Sequence, residues 1–201
     1  MYRFWPGVPT NLQSAISFFE AVGWEFTDTS HDLVQDLSRY EADTSIYSSL
    51  LDRRISLGTA TKADAPQVLD FVRQEFPSWM TAYQDVIARG DYYDILTATD
   101  ASGNVVGLLI MYSPKSHKAR ADVVWHELLG HDVGALGTVG VAAARRGQGI
   151  GLALVARGSE ILRERGVGQC HISWVVLLDF YGKLGYEPWR SYRMSWRTLD
   201  E

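Results

Sequence analysis

The sequence predicts an α/β fold of the α+β kind, a mixed central sheet of about six to seven strands with flanking helices. Three observations carry it. From residue 55 onward the strand-like and helix-like stretches follow the order β-α-α-β-β-β-α-β-α-β-β. A polar turn, "DASGN" at 100–104, joins two β-rich runs as a hairpin. Finally "VGALGTVGV", a long amphipathic stretch and "QCHISWVVL" form one β-α-β unit. A hairpin makes antiparallel neighbours and a β-α-β unit makes parallel ones, so the sheet must be mixed.

Residues 55–59 read as the first strand of this series. Asp64 stands where it can cap the next helix, and Pro66 suits that helix's first turn, where a missing N–H costs nothing. "WMTAYQDVIARG" reads as a second helix stopped by Gly90. After the hairpin, "KSHKARADVVWHELLGHD" reads as a partly ordered loop. The strand 133–141 leads into a helix with apolar residues at 150, 154, 155, 161 and 162 and charges between them. Cys170 lies in the following buried-type strand and is expected to be a structural thiol, with His171 beside it as an ordinary strand residue. "LDFYGKLG" is a short helix ending in glycine, and "YEPWRSYRMSWRTL" is a last β-prone stretch expected to break at Pro188.

The first fifty residues need their own account. Segment 18–37 aligns without gaps on 180–199, an offset of 162 residues (180 less 18). The alignment pairs Phe18 with Phe180, Gly23 with Gly185, Trp24 with Tyr186 and Glu25 with Glu187. Two readings follow: a tail left from a preceding copy of the same domain, or chance likeness between two helix–glycine–strand units. The first divides the chain into a degenerate tail, 1–54, and a complete domain, 55–201. Trp5, Phe18, Phe19, Trp24 and Phe26 are too apolar to stay exposed, so they are expected to pack on the main sheet or to join two chains as a homodimer.

Composition narrows the function classes. Hydrophobic residues make up 46% and charged residues 21% of 201, and no stretch approaches the roughly 18 uninterrupted apolar residues of a membrane span. The amino terminus has no basic start followed by an apolar run, so a cytoplasmic protein without a membrane partner is expected. A net charge of −5 argues against a nucleic-acid surface and suits a cationic or amine substrate. One cysteine with scattered histidines gives no metal-ligand spacing, so no metal is expected.

The chemistry is concentrated in "VAAARRGQGIG", 141–151. Glycines let backbone N–H groups approach a ligand, the helix starting near Gly149 aims its positive end at the same place, and Arg145 or Arg146 can add a charge-assisted bond. That suits a phosphate cradle, and a packing turn is the other reading. It is not a P-loop, because no Lys-Ser or Lys-Thr follows the glycines. It fits a dinucleotide fold poorly, because Asp179 lies 28 residues beyond Gly151 where about 20 is usual.

Val139-Gly140-Val141 with Arg146-Gly147-Gln148-Gly149-Ile150-Gly151 resembles the acyl-CoA signature of the GNAT superfamily of acetyl-CoA-dependent N-acetyltransferases. Phe180-Tyr181-Gly182-Lys183-Leu184-Gly185-Tyr186 is similar to that superfamily's second motif, in the right order and distance. The resemblance covers about 55–201. It implies two strands splayed into a V-shaped slot for the pantetheine arm. The backbone of Val139, Gly140 and Val141 would bond the acetyl and pantetheine groups, residues 146–151 would hold the pyrophosphate, and Phe180, Tyr181 and Lys183 would complete the acetyl-CoA site. It also implies direct attack of a neutral amine on the thioester, with Tyr181 as general acid for the departing thiol; a packing aromatic is its other role. Asp179 departs from the family pattern, which often has a small residue there, and so either faces the substrate or caps the short helix.

The acceptor side has no motif. Glu127 and Asp132 are the base candidates, with His126, Asp91 and Asp94 behind them. Trp79, Tyr83, Tyr92, Tyr93, Trp125 and Trp174 supply aromatic faces that, with Asp179, suit a sugar ring bearing an amine. Core filling is the alternative for most of them. The resemblance extends to tandem GNAT proteins that include glucosamine or glucosaminide acetyltransferases, and an amino sugar is the favoured acceptor. A polyamine, an aminoglycoside-like amine and a peptide or lysine amine stay open, as does a non-catalytic acyl-CoA sensor.

Overall fold

A computed structural model of the chain describes residues 7–120, 122–123 and 125–196. In chain order its elements are β1 (Gly7–Pro9), α1 (Gln13–Ala21), β2 (Asp28–Asp36), α2 (Ser45–Asp52), β3 (Ser56–Thr59), α3 (Ala65–Glu75), α4 (Met80–Ala88), β4 (Ile95–Thr99), β5 (Val105–Tyr112), α5 (His126–Leu129), β6 (Val133–Val141), α6 (Ile150–Glu164), β7 (Gln169–Val175), α7 (Leu178–Gly182) and β8 (Glu187–Met194). Eight strands stand where six to seven are expected, because the first segment contributes β1 and β2. The chain divides into two compact units: residues up to Gln35 with those from Ile172 on, and Asp36–His171.

In the Asp36–His171 unit, β3, β4, β5 and β6 pair antiparallel in sequence order. The first three residues of β7 then add in parallel to β6, Val133 opposite Gln169 through Ala135 opposite His171. Strand β5, "VVGLLIMY", is a continuous apolar run because both of its faces are covered. Val105, Leu108 and Ile110 join Val68, Phe71, Val72, Tyr83 and Val86 of α3 and α4 in one core. On the other face α6 comes close enough that a Cβ on Gly107 would lie 3.1 Å from Leu154 and 3.2 Å from Ile150. Alternation sets this division from Val106 on, and the register shift where Thr99 pairs with Val105 puts Val105 on the side of Leu108 and Ile110.

Local signals behave mostly as read. Gly90 ends the α4 segment at φ 80° and Gly103 turns the β4–β5 hairpin at φ 81°. Asp64 corrects one expectation. Its carboxylate accepts from the Thr61 N–H and hydroxyl, both at 2.7 Å, so it closes a capping box on the preceding 3-10 turn, and no side chain caps α3.

In the other unit β8 lies between β1 and β2, antiparallel to both. Pro188 does not break β8. It sits opposite Leu33 where the register shifts after Asp32, so a bulge accommodates it. The two aligned segments take matching forms: α1 and α7 each lead through a left-handed glycine, Gly23 at φ 86° and Gly185 at φ 81°, into β2 and β8. The ladder between those strands is also symmetric under the 162-residue shift (180 less 18). Asp28 opposite Met194 exchanges with Asp32 opposite Arg190, and Ser30 opposite Tyr192 maps onto itself. Phe18 remains 61% exposed, whereas Trp24 and Phe26 are half-buried, and Trp5 lies outside the described residues.

Candidate active site

Strand β6 is where the expected donor site takes shape. Its ladder with β7 stops at Ala135, so from Leu136 to Val141 that edge is not taken by a strand among the described residues. On the other edge Leu108 faces Gly140 and Ile110 faces Gly137, leaving Thr138 and Val139 together opposite Leu109. This is a bulge, and Thr138 sits in it at φ 50°, a left-handed conformation uncommon for a β-branched residue. An extended chain with amide groups could pair with the open edge as another strand would.

After β6 the chain makes a 3-10 turn at Ala143–Arg145 and enters the loop before α6. The Ala143 N–H is already taken by the Glu75 carboxylate at 2.9 Å, which fixes the turn. Gly147 and Gly149 adopt φ 73° and 81°, and Gly149 is the N-cap of α6. Exposed Arg146 donates from Nε to the Val141 carbonyl at 3.2 Å, which ties it beside the loop, while Arg145 pairs with Asp100 at 3.3 Å. Buried Ile150 and the half-buried Gly151 form the first turn of α6. The glycines, the free amides of a 15-residue helix start and the tethered guanidinium suit a pyrophosphate. Sequence reasoning missed the support from α2, where Ser49 Oγ donates to the Gln148 carbonyl at 3.4 Å. A Cβ on Gly149 would meet that Oγ at 2.9 Å. Gly149→Ala adds about 1–2 kcal/mol of left-handed strain to this crowding. It should therefore raise the dissociation constant for CoA about tenfold in a calorimetric titration of folded protein; an unchanged constant would count against the cradle.

On α7, Phe180 and Tyr181 meet edge to face at 4.8 Å between ring centres, and Tyr186 approaches Tyr181 at 6.2 Å. Tyr181 is half-buried, and burial pushes its phenol up to about 12. Asp179 and Lys183 are exposed. The Leu177 carbonyl accepts from the N–H of Phe180 and of Tyr181, and Asp179 is not recorded as capping α7.

The acceptor candidates scatter. Trp79 stacks on Phe76 at 4.4 Å, and the pair covers Gly140 so closely that a Cβ there would lie 2.5 Å from Phe76. Tyr83 is fully buried, with its hydroxyl on Thr138, and so stands behind the strand; no surface remains for an acceptor to touch. Trp174 is 48% exposed on β7 at φ 62°. Half-buried Trp125 precedes α5, and Glu127 is exposed on that helix. Asp132 sits beside Gly168, where β6 and β7 begin their pairing. Thr138 lies six residue steps along the strand from it, about 20 Å. The structure does not bring Asp132 to the bulge, and Glu127 lies on α5, outside β6.

Asp91 and Asp94 are engaged elsewhere. Arg120, 1% exposed, reaches Asp94 at 2.5 Å, Asp91 at 3.3 Å and Asp122 at 3.0 Å, and also donates to the Met111 carbonyl. Asp94 further accepts from Arg165 and Ser116, both at 2.6 Å. Tyr93 lies under the Arg165 guanidinium, with its hydroxyl on Asp91, so it belongs to this network as well. Burial raises the Asp94 carboxyl against the pull of Ser116 and both arginines. The network pins the segment 113–122 to the start of β4. A sequence shows these charges without showing that they are buried together. Among the described residues no group of histidine, cysteine and carboxylates could hold a metal, and no helix is long and apolar enough to cross a membrane.

Known proteins agree with this architecture. A fungal multi-domain β-N-acetylglucosaminidase contains a region described as a GCN5-related glucosamine N-acetyltransferase. That protein is 37% identical over 96% of this chain and 24% of its own, with a TM-score of 0.89. This chain therefore spans about a quarter of that protein's length. A tandem GNAT protein from the clavulanic acid biosynthesis pathway shares the fold at TM-score 0.54 and 17% identity, over 100% of this chain and 64% of that one. A GNAT family N-acetyltransferase from Escherichia coli, solved with CoA, matches at TM-score 0.50 and 22% identity, over 67% of this chain and 69% of its own. No curated protein sequence matches. The description of the acetyltransferase (GNAT) family matches residues 65–186, and the chain belongs to that family.

Proposed function

We propose that the protein transfers the acetyl group of acetyl-CoA to the primary amine of an amino sugar, with glucosamine the favoured acceptor. The observation that carries the donor half is the open, bulged edge of β6 running directly into the Gly147–Gly149 cradle at the start of α6. Residues Leu136–Val141 would pair with the pantetheine amides, and Arg146 through Gly151 would hold the pyrophosphate. Acetyl-CoA supplies the activated acyl group. A bond forms between the amine nitrogen and the acetyl carbon as the carbon–sulfur bond breaks; nitrogen loses a proton to water, and sulfur gains one from the Tyr181 phenol, which solvent then reprotonates. Oriented backbone N–H groups at the bulge would stabilise the negative carbonyl oxygen, a type of contribution worth about 3–4 kcal/mol. Neither Glu127 nor Asp132 is needed in this scheme, in which water takes the proton of the amine.

The acceptor rests on the 37% identical glucosamine N-acetyltransferase region and on exposed Trp174 and Asp179, which offer a ring face and a carboxylate to a cationic sugar. Acetyl-CoA-dependent thiol release with a panel of glucosamine, polyamines, aminoglycosides and peptide amines tests it. Glucosamine is expected to give the highest kcat/KM. Preference for another amine would overturn the acceptor, and CoA binding with no turnover on any amine would make the protein a sensor.

A further inference from the structure

The bulge in β6 costs conformational energy, and one side chain outside the strand accounts for its persistence. A β-branched residue held at positive φ needs over-determination by its surroundings, and the carbonyl of a bulged residue leaves the ladder and needs another donor. Tyr83 of α4 meets both needs. Its hydroxyl donates to the Thr138 carbonyl at 3.1 Å and accepts from the Thr138 hydroxyl at 3.3 Å. The ring itself is fully buried among α3, α4 and β5. One phenol thus grips Thr138 at two points from a rigid seat.

We infer that Tyr83 is a positioning residue for acetyl transfer: by drawing the Thr138 carbonyl toward α4 it sets the direction in which the backbone of Val139 and Gly140 faces the acetyl group. The inference rests on the proposed role of the β6 edge. Burial pushes the Tyr83 phenol well up, so the grip stays in place at every working pH. Nothing in the sequence ties residue 83 to residue 138; the tie comes from packing α4 over the strand.

Tyr83→Phe keeps the ring and removes only the hydroxyl. Two readouts are expected to move: hydrogen exchange of the β5-facing amides within 137–140 in the protein without CoA should speed up at least tenfold, and kcat should fall by about ten- to a hundredfold, as for a reacting group misplaced by a fraction of an ångström to one ångström. CoA affinity and exchange in α6 should stay within twofold. Because glycine adopts positive φ freely, adding Thr138→Gly should restore part of kcat. Exchange and kcat both within twofold of wild type would overturn the inference. Should Tyr83→Phe not fold, wild-type exchange still decides: those amides of 137–140 that face β5 must exchange as slowly as 107–110 on that strand, and exchange at loop rates there would refute the grip. A wild type that turns over no amine defeats the proposed function and leaves the exchange prediction standing.

Discussion

Tyr181→Phe should lower kcat by about 10²–10⁴-fold, the usual contribution of a positioned general acid, with the KM for acetyl-CoA nearly unchanged. The ring keeps its edge-to-face contacts with Phe180 and Tyr186, so the variant should fold. Only the proton is lost. With the phenol pushed up to about 12, Tyr181 stays protonated throughout the range in which the enzyme can be assayed. Its ionisation therefore cannot produce a loss of activity at moderately alkaline pH, and a basic limb near 9 or 10 would belong to another group. The stability linkage has the same origin. A phenol whose folded value lies above the ordinary 10.0 contributes stability that is complete below 10 and is lost as the pH rises through about 12. A Tyr181→Phe rate within a factor of three of wild type would remove Tyr181 from the reaction.

Arg120→Met should cost about 3–5 kcal/mol of stability, measured by chemical denaturation, because it takes from buried Asp91 and Asp94 the cation they share and leaves Asp94 only Arg165. Asp94 is fully buried and Asp91 is 6% exposed at the side chain, so neither can recover its hydration in the folded state. Asp94 already has a raised carboxyl. Its folded contribution is complete below the ordinary 3.8 and is lost as the pH rises through the raised value. Removing Arg120 raises it further, so the deficit relative to wild type should shrink on acidification toward about pH 4. A deficit that grows there would show that the carboxylates are not what the arginine serves. Lysine is not an equivalent replacement, because the planar guanidinium serves Asp94, Asp91, Asp122 and the Met111 carbonyl together.

The backbone features of the proposed donor half were legible because they are local. The strand 133–141, the glycines at 147 and 149 and the helix behind them are consecutive, and backbone requirements leave marks in composition. The hairpin at 100–104 and the left-handed Gly90 were readable for the same reason. The acceptor half was not legible. Tyr83, Tyr93, Trp79 and Trp125 look alike as residue types, and only packing separates the one gripping Thr138 from the one under Arg165. Asp94 looked like a free carboxylate because its partners, Ser116, Arg120 and Arg165, are 22, 26 and 71 residues away. Pro188 misled in the opposite way: its missing N–H argued for a break, and a bulge in β8 itself, with Trp189 the extra residue between Arg190 and Pro188, absorbed it.

The ladder between β2 and β8 also sets a timetable. Contacts such as Tyr192 to Asp32 and His31 to Ser191 join residues 160 apart in sequence. Closing so long a loop costs entropy before any contact repays it. During synthesis β2 emerges about 160 residues before its partner and waits, with its pairing edge toward β8 unfilled, until β8 has been made. The Asp36–His171 unit, built from neighbouring strands and hairpins, can form first. Strand β8 then completes the other unit, so removing β8 should leave β2 an unpaired, aggregation-prone edge even where the Asp36–His171 unit has already folded.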